Sequence, residues 1–160
     1  MNEVIARPQV LADRVPGTLL RDAALITGYA TLVGLLAQLT ILLPFTPIPI
    51  TGQTFGVLIG GMALGWRRAI LGMAAYVGLG LVGLPWFAGG NGGPTIVHAP
   101  SFGYLIGFVA AAALLGRLAE LGADRNPAVT LGCMILGSAV IYVFGVTWLA
   151  IAIQVNLETA

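Results

Sequence analysis

The sequence predicts an all-α fold, a polytopic bundle of membrane-spanning helices, and three observations carry that reading. The first is composition: 58% of residues are hydrophobic and 8% charged, with a mean hydropathy of +0.98, whereas a soluble domain carries about 25% charged residues. The second is the placing of charge. All seven basic residues are arginines, in three clusters: Arg7, Arg14 and Arg21; Arg67 and Arg68; Arg117 and Arg125. The third is the pair of uncharged, Gly/Pro-rich stretches between the clusters, 44–54 and 84–102. This alternation is the positive-inside pattern, with arginine-bearing ends in the cytoplasm and the uncharged loops outside. The net charge of +1 marks topology and carries no nucleic-acid signal. A cytoplasmic N-terminal segment (1–18) and one transmembrane helical domain (19–160) are expected.

The elements follow in order. A crossing helix needs roughly 20 apolar residues, and 19–43 supplies the first span. Pro44, Pro47 and Pro49 end it and open a non-helical outer loop. Unpaired backbone is not tolerated in lipid, so that loop lies outside or lines a cavity. The second span, 54–65, is short; Arg67 and Arg68 return the chain to the cytoplasm. The third, 69–84, is also short, and 85–102 forms the second outer loop. The fourth covers 103–119, with Glu120, Asp124 and Arg125 inside. Pro127 opens the fifth, which runs to about Ile153. Five crossings put the N-terminus inside, and the odd count with a short C-terminal stub points to a sixth helix beyond this sequence. Short, Gly-interrupted spans beside Pro/Gly-rich loops mark a substrate site; local tilting of neighbours in a thin region is the alternative.

The first span carries a small-residue face. Ala24 and Gly28, and Ala30 and Gly34, stand at small-xxx-small spacing with Thr31 beside them, which lets another helix approach closely. Packing within this chain and docking of a partner subunit both fit.

Much chemistry is excluded. Without a single lysine there is no Walker A phosphate loop and no Schiff-base lysine. The lone cysteine, Cys133, allows no disulfide and no thiolate metal cluster. None of the six acidic residues lies in mid-span, where proton-coupled transporters carry ionisable groups. No enzyme, cofactor or metal site is expected, so any transport draws its energy from another protein or from a missing segment.

Neutral polar groups collect on the outer side. Thr46, Thr51, Gln53 and Thr54 stand in the first loop, and Asn91, Thr95, His98 and Ser101 in the second, among Gly89, Gly90, Gly92 and Gly93. Gln53 and Asn91 donate and accept at once, which suits a neutral ligand of mixed polarity. A glycine-rich turn converges backbone N–H groups on an oxygen, or else is a plain external loop. The aromatics Trp86, Phe87, Phe102, Tyr104, Tyr142 and Trp148 either wall a pocket or form an interfacial belt. His98 is read as a loop residue ahead of a ligand.

The stretch PFTPIPITGQTFGVLIGGMALGWRR (44–68) resembles the BioY family, substrate-binding (S) membrane components of biotin importers of the energy-coupling-factor type. The stretch GLPWFAGGNGGPTIVHAPSFGYLIGF (83–108) is similar to that family's glycine-rich loop and fourth-helix start, and VIYVFGVTWLA (140–150) to its fifth helix. The Ala-Pro-Ser-Phe-Gly-Tyr run at 99–104 departs conservatively from the family's commoner Gly-Pro-Thr-x-Gly-Tyr. The resemblance implies a six-helix bundle in the bacterial cell membrane, with the first outer loop as a lid over biotin. It implies binding by Thr51, Gln53, Phe55, Gly89, Gly90, Asn91, Gly92, Gly93, Tyr104 and Tyr142. It implies docking of a transmembrane coupling protein, with its pair of ABC-type ATPases, on Ala24, Gly28, Ala30, Thr31 and Gly34, and it allows a homo-oligomer. The family's sixth helix carries a Pro-Gly-Asp-x-x-Lys type motif that helps hold biotin; this sequence stops before it. High-affinity capture of biotin outside and delivery inside by reorientation is thus the expected function. An S component for another vitamin and a non-binding assembly subunit are the alternatives.

Overall fold

The computed structural model describes residues 10–14, 19–44, 46 and 48–152. Five helices follow in order: α1 (Leu19–Leu36), α2 (Gln53–Leu64), α3 (Trp66–Val82), α4 (Phe102–Glu120) and α5 (Pro127–Ala152). A two-stranded antiparallel hairpin, β1 (Thr40–Ile41) and β2 (Ile50–Thr51), lies between α1 and α2, in the register Thr40↔Thr51 and Ile41↔Ile50. Short 3-10 turns occupy Leu11–Arg14, Ala88–Gly90, Pro94–His98 and Ala123–Arg125. By length and composition α1, α4 and α5 can each cross a membrane; α2 and α3, of 12 and 17 residues, are as short as their sequence predicts.

The helices are arranged around α4, which contacts α2, α3 and α5, while α1 lies against α3 and α2. Lipid tails are as apolar as leucine, so close van der Waals packing has to hold such helices together. Glycines make that packing. The ring of Tyr29, from α1, is buried between Gly60 of α2 and Gly72 of α3. A Cβ on Gly72 would lie 2.5 Å from that ring, and one on Gly60 would overlap it. The Tyr29 hydroxyl donates to the Val57 carbonyl at 2.9 Å. The α4–α5 seam repeats the device: Gly103 receives Trp148, Gly107 lies against the Ile141 backbone, and Gly145 receives the Tyr104 ring. Only Gly65 separates α2 from α3; its φ of +78° is a left-handed conformation that a side chain would strain. Pro127 starts α5, where Asn126 caps the helix by accepting from the Ala128 N–H at 2.9 Å.

The arginines do more than mark topology. Arg68 pairs with Asp13 at 2.7 Å and with Asp22 at 3.1 Å, and Asp22 also holds Arg21 at 2.7 Å. This ties the Leu11–Arg14 turn to α1 and α3, with Val10 and Ala12 buried beneath. Nearby, the Glu120 carboxylate accepts from the Trp66 N–H and pairs with Arg117.

Two expectations need correction. The first span ends at Leu36 instead of residue 43. The backbone N–H groups of Gln38 and Leu39 shift to tighter bonds with Leu35 and Leu36, and the Gln38 amide donates to the carbonyls of Gly34, Trp86 and Phe87 at 3.1–3.3 Å. The freed chain then pairs as β1 with β2, an exchange of backbone partners that apolarity alone does not register. The third span starts at Trp66 instead of residue 69, so Arg67 and Arg68 lie in the first turn of α3, because one glycine suffices for the break. Most of the N-terminal segment (1–9 and 15–18, with Arg7, Pro8 and Pro16), Pro47, and the expected end of the last span at Ile153 lie outside the described residues.

Gly60→Ala is expected to destabilise the bundle by about 1–3 kcal/mol, the usual cost of overpacking a core, and to lower its thermal unfolding midpoint in detergent. Gly28→Ala, where a Cβ would meet nothing within 4 Å, is expected to leave that midpoint unchanged.

Candidate ligand-binding site

A cavity of about 570 Å³ opens at the end of the bundle where α2 and α4 begin. Arg68 and its carboxylates stand beyond the opposite end of α2. Leu43, Thr46 and 48–51 of the hairpin segment form one wall, the loop residues Phe87, Ala88 and Asn91 a second, and α4 with α5 a third. Among the described residues, no charged side chain lines it. Volume and lining suit one small, mostly apolar molecule with a few polar groups.

Among the described residues, Gln53 is the polar side chain buried in the core, 5% exposed. It opens α2 directly after β2, so its position follows from both the hairpin and the helix. Its Oε1 accepts from the Thr51 hydroxyl at 2.8 Å, and its Nε2 donates to the Tyr76 hydroxyl of α3 at 2.5 Å. Tyr76 in turn donates to the Trp86 carbonyl at 3.4 Å. A buried amide has to be satisfied in this way, and it still offers one N–H and one lone pair to a ligand. Across the cavity Asn91 sits on a turn closed by Phe87 N–H to Asn91 O and Gly90 N–H to Phe87 O, both 3.0 Å, and its amide donates to Ala88 O at 2.8 Å. Tyr104 and Tyr142 meet edge to face, centroids 6.1 Å apart, and supply an aromatic wall with hydroxyls attached.

Of the residues singled out in the sequence, Thr51, Gln53, Asn91, Tyr104 and Tyr142 come together on the cavity. Phe55 does not: it is 62% exposed, because two residues past Gln53 is about 200° around the helix. The glycines of the second loop are not lining residues either. Gly89 and Gly90, at φ +73° and +71°, shape the turn that carries Asn91. Gly92 has the Leu84 carbonyl against it, and Gly93 donates to Gly80 O at 2.7 Å, so both fasten the loop to the end of α3. His98 is exposed and lies off the cavity. Trp86 and Trp148 are off it as well: their indole N–H groups donate to Tyr76 O and Ala99 O, and their rings fill the space over Gly34 and Gly103.

The small-residue face divides. Ala30 and Gly34 are buried inside the chain, Gly34 under Trp86, whereas Ala24, Gly28 and Thr31 form an exposed stripe on α1. Sequence reasoning missed Leu105, Phe108 and Ile141 on the cavity wall and Tyr76 behind it. Apolar helix residues that line a ligand cavity carry the same signal as core, and a single tyrosine inside an apolar span carries none.

Comparison with known proteins agrees with this architecture. Residues 7–160 match the BioY family. The biotin transporter BioY of Rhizobium etli is 36% identical over 138 residues, 81% of this chain and 74% of that protein. The biotin transporter BioY of Thermotoga maritima is 39% identical over 104 residues, 65% of this chain and 60% of that protein. The crystal structure of the S-component for biotin from an ECF-type ABC transporter superposes with a TM-score of 0.82 at 27% identity, covering 88% of this chain and 77% of that one. An apolar helix bundle, a glycine-packed interior and an uncharged cavity under a hairpin are thus found in a chain that belongs to the BioY family of membrane proteins.

Proposed function

We propose that this chain is the biotin-capturing membrane component of an uptake transporter. The observation that carries the reading is the uncharged cavity, which sets two amides against an aromatic and aliphatic wall. Biotin has matching parts in its ureido group, which donates and accepts, its apolar thioether ring and its aliphatic chain; the carboxylate that ends that chain, ionised at neutral pH, has no cationic partner among the described lining residues. Gln53 and Asn91 hydrogen-bond its polar groups, Tyr104 and Tyr142 pack on its rings, and Thr51 holds Gln53 in place. The hairpin 40–51 closes over the bound ligand as a lid. The arginine-bearing end faces the cytoplasm of a bacterial cell, with the N-terminus inside, and the cavity faces out.

Energy comes from partners. A transmembrane coupling protein joined to ABC-type ATPases docks on the exposed stripe of Ala24, Gly28 and Thr31, where small side chains permit close helix contact. Reorientation of the whole component in the membrane then delivers biotin inside. Ala30 and Gly34 belong to the internal packing of α1 in this arrangement.

Equilibrium binding of labelled biotin to the purified protein in detergent, with other vitamins as competitors, tests the reading. Saturable, biotin-selective binding is expected, and Asn91→Ala should weaken it about tenfold with folding intact, the effect of one lost hydrogen bond. Binding that another vitamin displaces better, or an Asn91→Ala variant with unchanged affinity, contradicts the assignment. Gly28→Leu is expected to leave biotin binding intact while abolishing co-purification with the coupling protein and uptake in cells; retained co-purification would remove the docking face from α1.

A further inference from the structure

We propose that Arg67 and Trp66 form a binding site for the headgroup phosphate of an anionic phospholipid, which anchors the α2–α3 turn at the membrane boundary on the arginine side. The site lies at the opposite end of α2 from the cavity and does not depend on which ligand the cavity takes.

The two adjacent arginines at the start of α3 have different surroundings. Arg68 turns inward: its side chain is 16% exposed, and Asp13 and Asp22 neutralise it at 2.7 and 3.1 Å. Arg67 stands about 100° around the helix from it and is exposed. Among the described residues, no carboxylate is within ion-pair reach of Arg67. Its guanidinium lies instead over the Trp66 ring, 5.4 Å from the centroid, a cation–π contact. A guanidinium held by an aromatic ring keeps N–H donors for a second partner, and their planar fork matches a phosphate.

Trp66 is itself fixed. A Cβ on Gly116 of α4 would lie 2.5 Å from the Trp66 backbone, so no side chain fits between the two helices there. The Trp66 N–H donates to Glu120 Oε1 at 3.3 Å, and Oε2 of the same carboxylate holds Arg117 at 3.1 Å. The Arg117 side chain is 63% exposed, so a second guanidinium stands beside the site.

The placement points to lipid as the source of the phosphate. Glu120 ends α4, Asp22 lies in the first turn of α1 and Arg68 in the first turn of α3. The bonds from Trp66 to Glu120 and from Arg68 to Asp22 therefore bring three helix ends to one level. Charged side chains gather at that level, which is the height of the headgroups. A partly exposed indole settles at the same height, and Trp66 is 36% exposed. From Arg67 the outward face of α3 continues through Leu71, Ala74 and Gly78, all exposed, at the spacing of one helical face. This apolar strip gives an acyl chain a wall to lie on, which a soluble phosphate could not use. Anionic headgroups attract arginine at such a boundary.

Native mass spectrometry of the purified protein, released from an uncharged detergent with phosphatidylglycerol or phosphatidylcholine of the same acyl chains, tests the site. The wild type is expected to retain phosphatidylglycerol preferentially. Arg67→Ala should cut that preference about fivefold, the worth of one arginine at an anionic surface. Arg67→Gln, which keeps most of the side chain's length, should do the same, and Trp66→Leu should lower the preference by releasing the guanidinium. Arg125→Ala removes another exposed arginine and should leave it unchanged. The unfolding midpoint of each variant in detergent alone separates a lost site from a lost fold. Equal retention of both lipids by the wild type, or an unchanged preference in the folded Arg67 or Trp66 variants, would overturn the proposal. An equal loss in Arg125→Ala would mark diffuse attraction by charge and overturn it too. Glycerol 3-phosphate in large excess should not displace the lipid; displacement would make this a site for free phosphate and sink the lipid assignment.

Discussion

The seat of Tyr29 between Gly60 and Gly72 is the contact on which the rest of the structure depends. In lipid no hydrophobic gain draws helices together, so α1, α2 and α3 stay in register only where their surfaces interlock. One ring from α1 enters sockets on both other helices, and its hydroxyl caps the Val57 carbonyl. Gln38, just past the end of α1, Gln53 on α2 and Tyr76 on α3 are the side chains whose hydrogen bonds tie the hairpin to the second loop. A socket filled by a methyl group therefore acts on the site from a distance, by moving the helix that presents Gln53.

Charge and polarity are separated along the bundle axis, and each end uses its own chemistry. At the arginine end, Asp13, Asp22 and Arg68 pair at a boundary where water and lipid headgroups soften the cost of charge. At the other end the cavity excludes charge and relies on amides, hydroxyls and aromatic rings. A lining of neutral side chains avoids burying an unpaired ionised group of the protein itself, which would carry a large desolvation cost.

Arginine spacing and apolar runs make the helix order readable, along with the two short helices and the gathering of neutral polar groups at the end away from Arg68. Three features escaped for physical reasons. Residues 37–43 are as apolar as a helix, and only the distant carbonyls of Trp86 and Phe87, taken up by Gln38, make the chain turn into a hairpin. The family resemblance puts Phe55 among the ligand contacts, although helical periodicity sends it to a different face from Gln53 and leaves it exposed. The glycines at 89–93 were read as wall, whereas their conformations and close contacts make them the fastening that places Asn91. In the other direction, Thr51, Gln53, Asn91 and Tyr104 are recognisable because polar or aromatic residues beside Pro/Gly-rich loops have few structural reasons to be there, whereas Tyr142, in the middle of α5, is reached only through the family resemblance.

Hydrogen–deuterium exchange of the purified protein with and without saturating biotin tests the account most directly. The account predicts slower exchange on binding in the hairpin 40–51 and in the turn 87–91, with the Arg68 end of α3 unchanged. Protection confined to the arginine end, or saturated binding without added protection in the hairpin and the turn, would contradict it.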